Sequence, residues 1–557
     1  MLPGNWTAED LTAELSSHGG VILERGLHYI QSPIYLPSGT TLEGLGYSTH
    51  IACTGDFPAF ITREGAGGPR SERVTVQNLR VRRNNTSGAG TPQTQSIGIR
   101  WWGNDLRFED LWLEDHFCST QGEDVGLGGA ADYVSPTAPT ACGPNALTDS
   151  TRSWAPNEHA GRWVYSGNAS MFLITGNNAT TLYLDAGGAT PESFPYTIFL
   201  GVAELDPSYD VKLINVRSRH VAGFSLYGSQ WGFEVNSVRG YVQRDCQHTG
   251  SRLDGTKLRR NTQDVLIDGG RYYGCRQAGI NLFGGGYRVK LRGGVCDGNG
   301  IAGVPASGIE IKTSWLNPCF GNVAEIEIDG WTCRDNAGSG LVINRDADAP
   351  VTRSLVQHVS IRGGVMEANR CGWDDGSASG AGMYLRGRDI TVEGTRLIRN
   401  LGVGLWATSD ARDVTLANIA CIANGAHAAG GGSNLVIDGQ RIKVAHLTSH
   451  GKESTDVSDD AEFDALPVVT ANAVLVQSTA RAVTIWIRDA DVRGHSLTIP
   501  INTVAGAELI AHYEGAGAPY RFGGIGSTFQ RTDGGTGTSL YVKESGTAVT
   551  PTGWTGK

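Results

Sequence analysis

The sequence predicts an all-β solenoid of stacked parallel strands, and three observations carry that expectation. First, one short phrase recurs between Thr249 and Asp410: a small turn, a glycine, then alternating apolar and polar residues. It reads TGSRLDGT (249–256), AGINLFGG (278–285), SGIEIKTS (307–314), SGLVINRD (339–346), AGMYLRGR (381–388) and VGLWATSD (403–410). Aligned on Gly250, Gly279, Gly308, Gly340, Gly382 and Gly404, the next position is apolar in five of six copies. Alternation of period two marks a strand with one buried face. Recurrence every 22–42 residues, with no helical pattern between copies, marks a coiled stack. Second, each copy follows another strand, as in DVLIDG (264–269), RVKLRG (288–293), AEIEIDG (324–330), HVSIRG (358–363), DITVEG (389–394) and DVTLAN (413–418). Third, 78 of 557 residues are glycine, about twice the usual share, as a tight turn at every corner requires. Together these predict a right-handed parallel β-helix.

Between the two strands the turn often carries Asn four residues before the aligned glycine, as Asn336 stands before Gly340 and Asn400 before Gly404. Asn299, Asn369 and Asn424 hold the same place in coils with longer turns. Stacked asparagines can satisfy turn backbone that the coils bury. Of the ten cysteines, Cys296, Cys333 and Cys421 each lie three residues before that Asn, where other coils place Met366 and Leu397, and Cys275 takes the Asn slot itself. They read as small buried hydrophobes with free thiols, in a protein assembled in a reducing cytoplasm. No Cys spacing gives a metal site, and no motif calls for a cofactor.

The formal charge of −10 leaves no basic footprint for nucleic acid or anionic membrane. No run of about 18 apolar residues occurs, so no membrane insertion is expected, and no signal peptide is visible at the N-terminus.

In chain order, residues 1–18 predict a cap helix, with Thr7 as N-cap, Glu9 and Asp10 in its first turn, and Leu11 and Leu15 on one face. It would close the open first coil. Residues 19–119 hold the first coils. The phrase GGVILERGLHYIQSPIYLPSGTTLEGLG (19–46) resembles the opening of the pectate-lyase-like β-helix superfamily, common in bacteriophage tailspikes that depolymerise polysaccharide. Residues 120–203 interrupt the rhythm with a loop and a small β domain; its TDST, Trp and AGxxV phrases resemble a module embedded in phage tail proteins. Trp154 and Trp163 read there first as core and second as sugar platforms. The main helix occupies 204–450. Residues 451–522 form terminal coils or a β cap, and GSTFQRTDGG within 523–557 resembles a β module that ends many phage tail proteins.

The glycine alignment predicts which side chains face outward on one sheet. Two residues after the glycine come Arg100, Ser225, Arg252, Asn281, Glu310, Val342, Tyr384 and Trp406; four after it come Trp102, Tyr227, Asp254, Phe283, Lys312, Asn344, Arg386 and Thr408. Ser314, Asp346 and Asp410 stand six after it. Rings offer flat apolar faces to sugars, while amides and charges fix hydroxyls. A glycosidase needs two carboxylates about the scissile bond. Glu310 and Asp254 are the expected pair, two coils apart with Cα atoms roughly 12 Å from one another, which suits inversion; Asp346 is held in reserve. Lys312 beside Glu310 favours it as base. Arg252, Asn281, Lys312, Asn344, Tyr384 and Arg386 would hold the glycan, on platforms Tyr227, Phe283 and Trp406. SGIEIKT (307–313) resembles the substrate-binding segment of polygalacturonases, but with Glu310 inverting the first charge and no Gly-His-Gly in the chain. A lyase would use Arg252, Lys312 or Arg386 as base; an adhesin would use the strip for binding alone.

The tailspike resemblance implies a homotrimer on the virion tail, beside other tail proteins, acting at the host surface on capsule, exopolysaccharide or O-antigen. It also implies an attachment domain ahead of the cap helix; here the helix begins almost at Met1, so attachment through another protein or a missing segment is expected.

Overall fold

The computed structural model describes residues 6–63, 69–83, 97–116, 118–122, 131–134, 137–166, 170–185, 190–191, 193, 196–199, 208–219, 231–236, 238–259, 262–284, 286–300, 306–313, 323–345, 356–370, 380–424, 433–450, 472–476, 485–488, 491–493, 512–515, 525–531, 533, 540–546 and 552–557. The chain opens on the helix Ala8–His18. Thr7 stays extended and caps it: its Oγ1 accepts from Asp10 N at 3.1 Å, and the Asp10 carboxylate accepts from Thr7 N at 3.2 Å. Leu11 and Leu15 are fully buried. The Thr12 hydroxyl accepts from Tyr35 N at 3.1 Å, fixing the helix to the first coil.

Each coil then repeats one plan. Thr262–Asp268 runs into a corner at Gly269, Arg271–Tyr273 follows, and Ile280–Phe283 returns on another sheet. Successive coils pair in parallel and in register, so Val265, Val289, Ile326, Val359, Ile390, Val414 and Ile442 form one column. All of them are buried, and each contributes roughly 1.5–3 kcal/mol. The corner is left-handed in coil after coil, with φ of 47° at Asn215, 50° at Asp245, 73° at Gly269, 65° at Gly330 and 53° at Asn418. Glycine, asparagine and aspartate tolerate that region best and fill most of these slots, while His446 takes the one stacked on Asn418 with φ of 55°.

The asparagine stack exists and is continuous. Asn299 donates from N and Nδ2 to Asn336 Oδ1 at 3.1 and 2.9 Å. The same bonds link Asn336 to Asn369, Asn369 to Asn400, Asn400 to Asn424 and Asn424 to Asn434. Asn434, which the glycine spacing did not flag, ends the stack by donating to Cys421 O, Ser449 Oγ and His450 O. Cys275 substitutes at the other end, its N donating to Asn299 Oδ1 at 3.1 Å. Cys296 and Cys333 are register partners, and every described cysteine is a free thiol.

Strands between Ala131 and Phe199 form a separate antiparallel sheet over its own core of Leu147, Trp154, Val164, Phe172, Ile174, Leu182, Tyr196 and Ile198. Trp154 is part of that core; the side chain of Trp163 lies outside the described residues. Coiling does not stop at 450: Asn472–Val476, Ile485–Arg488 and Asp491–Arg493 pair in parallel with the coil before them. A final four-stranded sheet spans His512–Gly515 to Trp554–Gly556, and its Phe529 joins the apolar core with Tyr541 and Trp554 packed beside it.

Two histidines are sealed in the solenoid. His248 accepts from or donates to Ser218 Oγ at 2.7 Å and meets the Phe233 ring edge-on at 6.0 Å; His116 is equally buried. Burial pushes both from 6.5 to about 3. Between those values the unfolded chain binds more protons than the folded one, so acid favours unfolding. Lowering the pH from neutrality to 5 is expected to remove about 2 kcal/mol per histidine. Urea titrations at the two pH values, with His248→Gln as comparison, measure it; an unchanged midpoint overturns the assignment.

Candidate functional site

The strip forms on the narrower sheet, where strands Gly-turned at their starts stack Gln121, Glu234, Lys257, Asn281, Glu310, Val342, Tyr384 and Trp406 in one column. Asn236, Arg259, Phe283, Lys312 and Asn344 form the next. The middle of the first column is secluded rather than solvated: Asn281 is 2 % exposed, Val342 2 %, Glu310 7 % and Lys257 9 %, while Gln121, Tyr384 and Trp406 are part-buried. Charges held that far from water must be paired, and they are.

Glu310 accepts from Lys312 Nζ at 2.9 Å through Oε1 and from Asn281 Nδ2 at 3.3 Å through Oε2. The same Asn281 amide donates to Asp254 Oδ1 at 3.1 Å. One amide therefore bridges the two carboxylates expected to act together. Asp254 also accepts from Ala278 N at 3.2 Å and pairs with Lys257 Nζ at 3.1 Å. Lys257 and Lys312 stand 4.7 and 5.4 Å from the centre of the Phe283 ring. Burial lowers the Lys257 pKa, opposed by the Asp254 charge.

The bridge corrects the expected geometry of that pair. Asp254 is fully buried and lies in the turn before its strand, not on the outward column. The coil aligns on Gly255, which stacks on Gly279, and not on Gly250. Lys257 and Arg259 thus take the two outward places assigned to Arg252 and Asp254, and Arg252 leaves the strip for the turn. Nor does the spacing suit inversion: the bridged oxygens can stand no farther apart than bonds of 3.1 and 3.3 Å laid end to end, below the roughly 6.5–9.5 Å of an inverting pair. With three donors on its oxygens, Asp254 positions Asn281 and Lys257 rather than meeting a ligand.

Farther along, Arg386 donates to Asp410 Oδ2 at 2.7 Å and to Asn344 Oδ1 at 3.4 Å. Trp406 packs edge-on to Tyr384 with centroids 5.9 Å apart. Tyr227, Ser225, Ser314 and Asp346 lie outside the described residues, and the rung expected from Tyr227's coil is supplied by Trp231–Asn236. That rung brings Glu234, which the glycine phrase missed. It is fully buried, accepts from Gln121 Nε2 at 2.6 Å and pairs with Arg259 at 2.6 Å. Pairing the preceding strands would have found the register error, because Gln247–Thr249 aligns with Arg271–Tyr273 and so sets Gly250 opposite Gly274.

Solved structures share this architecture. The pre-mature gene product 12 of bacteriophage phi29 matches with a TM-score of 0.50 and 11% identity, over 92% of this chain and 57% of its own. A double mutant of the tailspike protein of E. coli bacteriophage HK620 matches at 0.49 and 10%, over 100% and 87%. The fold is a right-handed parallel β-helix. The A-module of the mannuronan C-5 epimerase AlgE4 of Azotobacter vinelandii matches at 0.40 and 13%, over 90% and 96%. Identities this low speak for the β-helix and not for its chemistry. No protein-family signature and no curated protein matches the chain.

Proposed function

We propose that this β-helix is a phage tail protein that binds, and endo-hydrolyses, a bacterial surface polysaccharide. The observation that carries the proposal is the secluded cluster of Glu310, Asn281, Lys257 and Lys312 around the Phe283 ring. An aromatic face beside fixed amide and charged groups is what a pyranose ring requires. Glu310 is the carboxylate that meets the glycan, as base, with Asp254 holding the amide and ammonium behind it and the reserve carboxylate Asp346 proposed as the acid that protonates the leaving oxygen. Polysaccharide-acting and phage-tail names among the structural neighbours accord with this, and three copies on a virion tail are the expected assembly.

A second reading is favoured by Lys257. A buried ammonium with a lowered pKa gives up its proton more readily than an exposed one, and a free amine beside Lys312 could take the proton next to a uronate carboxylate. Incubation with capsule and lipopolysaccharide from candidate hosts, followed by mass spectrometry, separates the outcomes. Hydrolysis yields fragments that have gained water; elimination yields unsaturated ends that absorb ultraviolet light. Retention of a glycan without fragments would leave an adhesin, and no retention at all would sink the proposal.

A further inference from the structure

Three rungs beyond Glu310 the same face carries polar atoms that the protein leaves unpaired. Trp406 occupies the Glu310 column, through Val342 and Tyr384. Its indole Nε1 is buried without a hydrogen-bond partner. Thr408 is only 6 % exposed, and its Oγ1 likewise has none. Thr408 N donates to Leu385 O at 3.1 Å and Asp438 N to Ala407 O at 2.8 Å, so Arg386, Thr408 and Asp438 continue the neighbouring column on successive rungs. A Cβ built on Gly439 would lie 2.5 Å from Ala411 O and 3.0 Å from Thr408 O. The Asp438 segment therefore rests directly on the turn that carries Asp410.

We propose that Trp406, Thr408 and Asp438 form a second sugar subsite, seating a neutral pyranose of the polysaccharide whose other end lies at Glu310. The inference rests on the glycan-binding reading above and adds the length of glycan it needs. Unpaired buried polar atoms are costly in a folded protein, and an occupied subsite relieves them: Trp406 Nε1 donates to a hydroxyl oxygen and Thr408 Oγ1 exchanges a bond with the next. Among the described residues the cation on this column, Arg386, is already held by Asp410 at 2.7 Å, which favours a neutral sugar over an acidic one. Asp438 complements this, because burial first and the Asp410 charge second raise its pKa, and it keeps a donating O–H to higher pH than an ordinary aspartate. At ~4.8 Å per rung the subsite stands roughly 14–19 Å from Glu310, beyond the reach of a disaccharide.

The test begins with an array of capsular polysaccharides and O-antigens, followed by calorimetry with fragments of the retained glycan graded by length. Thr408→Val removes one polar atom at nearly constant shape, and Trp406→Phe removes the indole N–H together with one of its two rings. Each is expected to weaken long fragments by roughly 5–10-fold and to leave disaccharides unchanged. Equal affinity for long fragments in wild type and both variants would overturn the subsite while leaving the function standing. Should Thr408→Val fail to fold, Trp406→Phe decides alone. An array on which the wild type retains nothing overturns both.

Discussion

Replacing Glu310 with glutamine is expected to lower polysaccharide cleavage by roughly 10²–10⁴, the range for loss of one positioned acid or base, while glycan affinity stays within a few-fold. Glutamine keeps the shape, and its one carbonyl oxygen can still accept from Lys312 Nζ or from Asn281 Nδ2, which Glu310 now satisfies on separate oxygens. What it loses is the capacity to take a proton. Asp254→Asn should behave differently. It leaves the Lys257 ammonium, 3.1 Å away and 9 % exposed, buried without a counter-charge, and breaking such a pair costs about 3–5 kcal/mol. Activity and stability should therefore fall together in that variant and separately in Glu310→Gln. Fragment yield by mass spectrometry, read beside urea midpoints, distinguishes them. If Glu310→Gln cleaves like the wild type, the chemistry lies elsewhere on the chain.

The second large effect concerns the fold. Asn369→Leu is expected to destabilise the chain by on the order of 5 kcal/mol, because one amide makes four hydrogen bonds. Its Oδ1 accepts from Asn336 N and Nδ2, and its Nδ2 donates to Cys333 O at 3.1 Å and Asn400 Oδ1 at 2.8 Å. Leucine fills the space and removes all four bonds, although Asn336 Nδ2 keeps Cys296 O and Asn400 Oδ1 keeps Asn369 N. The exposed pair of Arg288 with Asp264 gives the contrast: Arg288→Ala should leave the unfolding midpoint where it was, since solvent screens such pairs. Equal midpoints for Asn369→Leu and wild type would mean that the stack is ornamental.

The solenoid was legible because its signals are local and repeated. A glycine followed by alternating residues, and an Asn at a constant offset, each reflect a corner or a buried face that every coil must rebuild. The stack from Asn299 to Asn424 follows from spacing alone. The strip was legible where that spacing is unambiguous, from Asn281 to Trp406, and failed where two glycines compete. Gly250 and Gly255 both precede alternating residues, and only the pairing of Thr249 with Tyr273 selects the second. That shift of five residues exchanged Arg252 and Asp254 for Lys257 and Arg259. Glu234 escaped for another reason: its rung, GFEVN at 232–236, lies far along a coil that a longer excursion separates from the repeat. Seclusion was invisible altogether, because period-two alternation says which way a side chain points and nothing about what surrounds it.

The N-terminal helix, finally, bears on solubility. A stack whose every layer resembles the next has no intrinsic reason to stop growing, and a second molecule could lay its last layer on the first of another. Leu11 and Leu15 occupy that growth face and Thr12 ties them to Tyr35, so the helix blocks templating of a fibre at this end. A chain shortened past Gly19 should therefore form end-to-end polymers whose length rises with concentration.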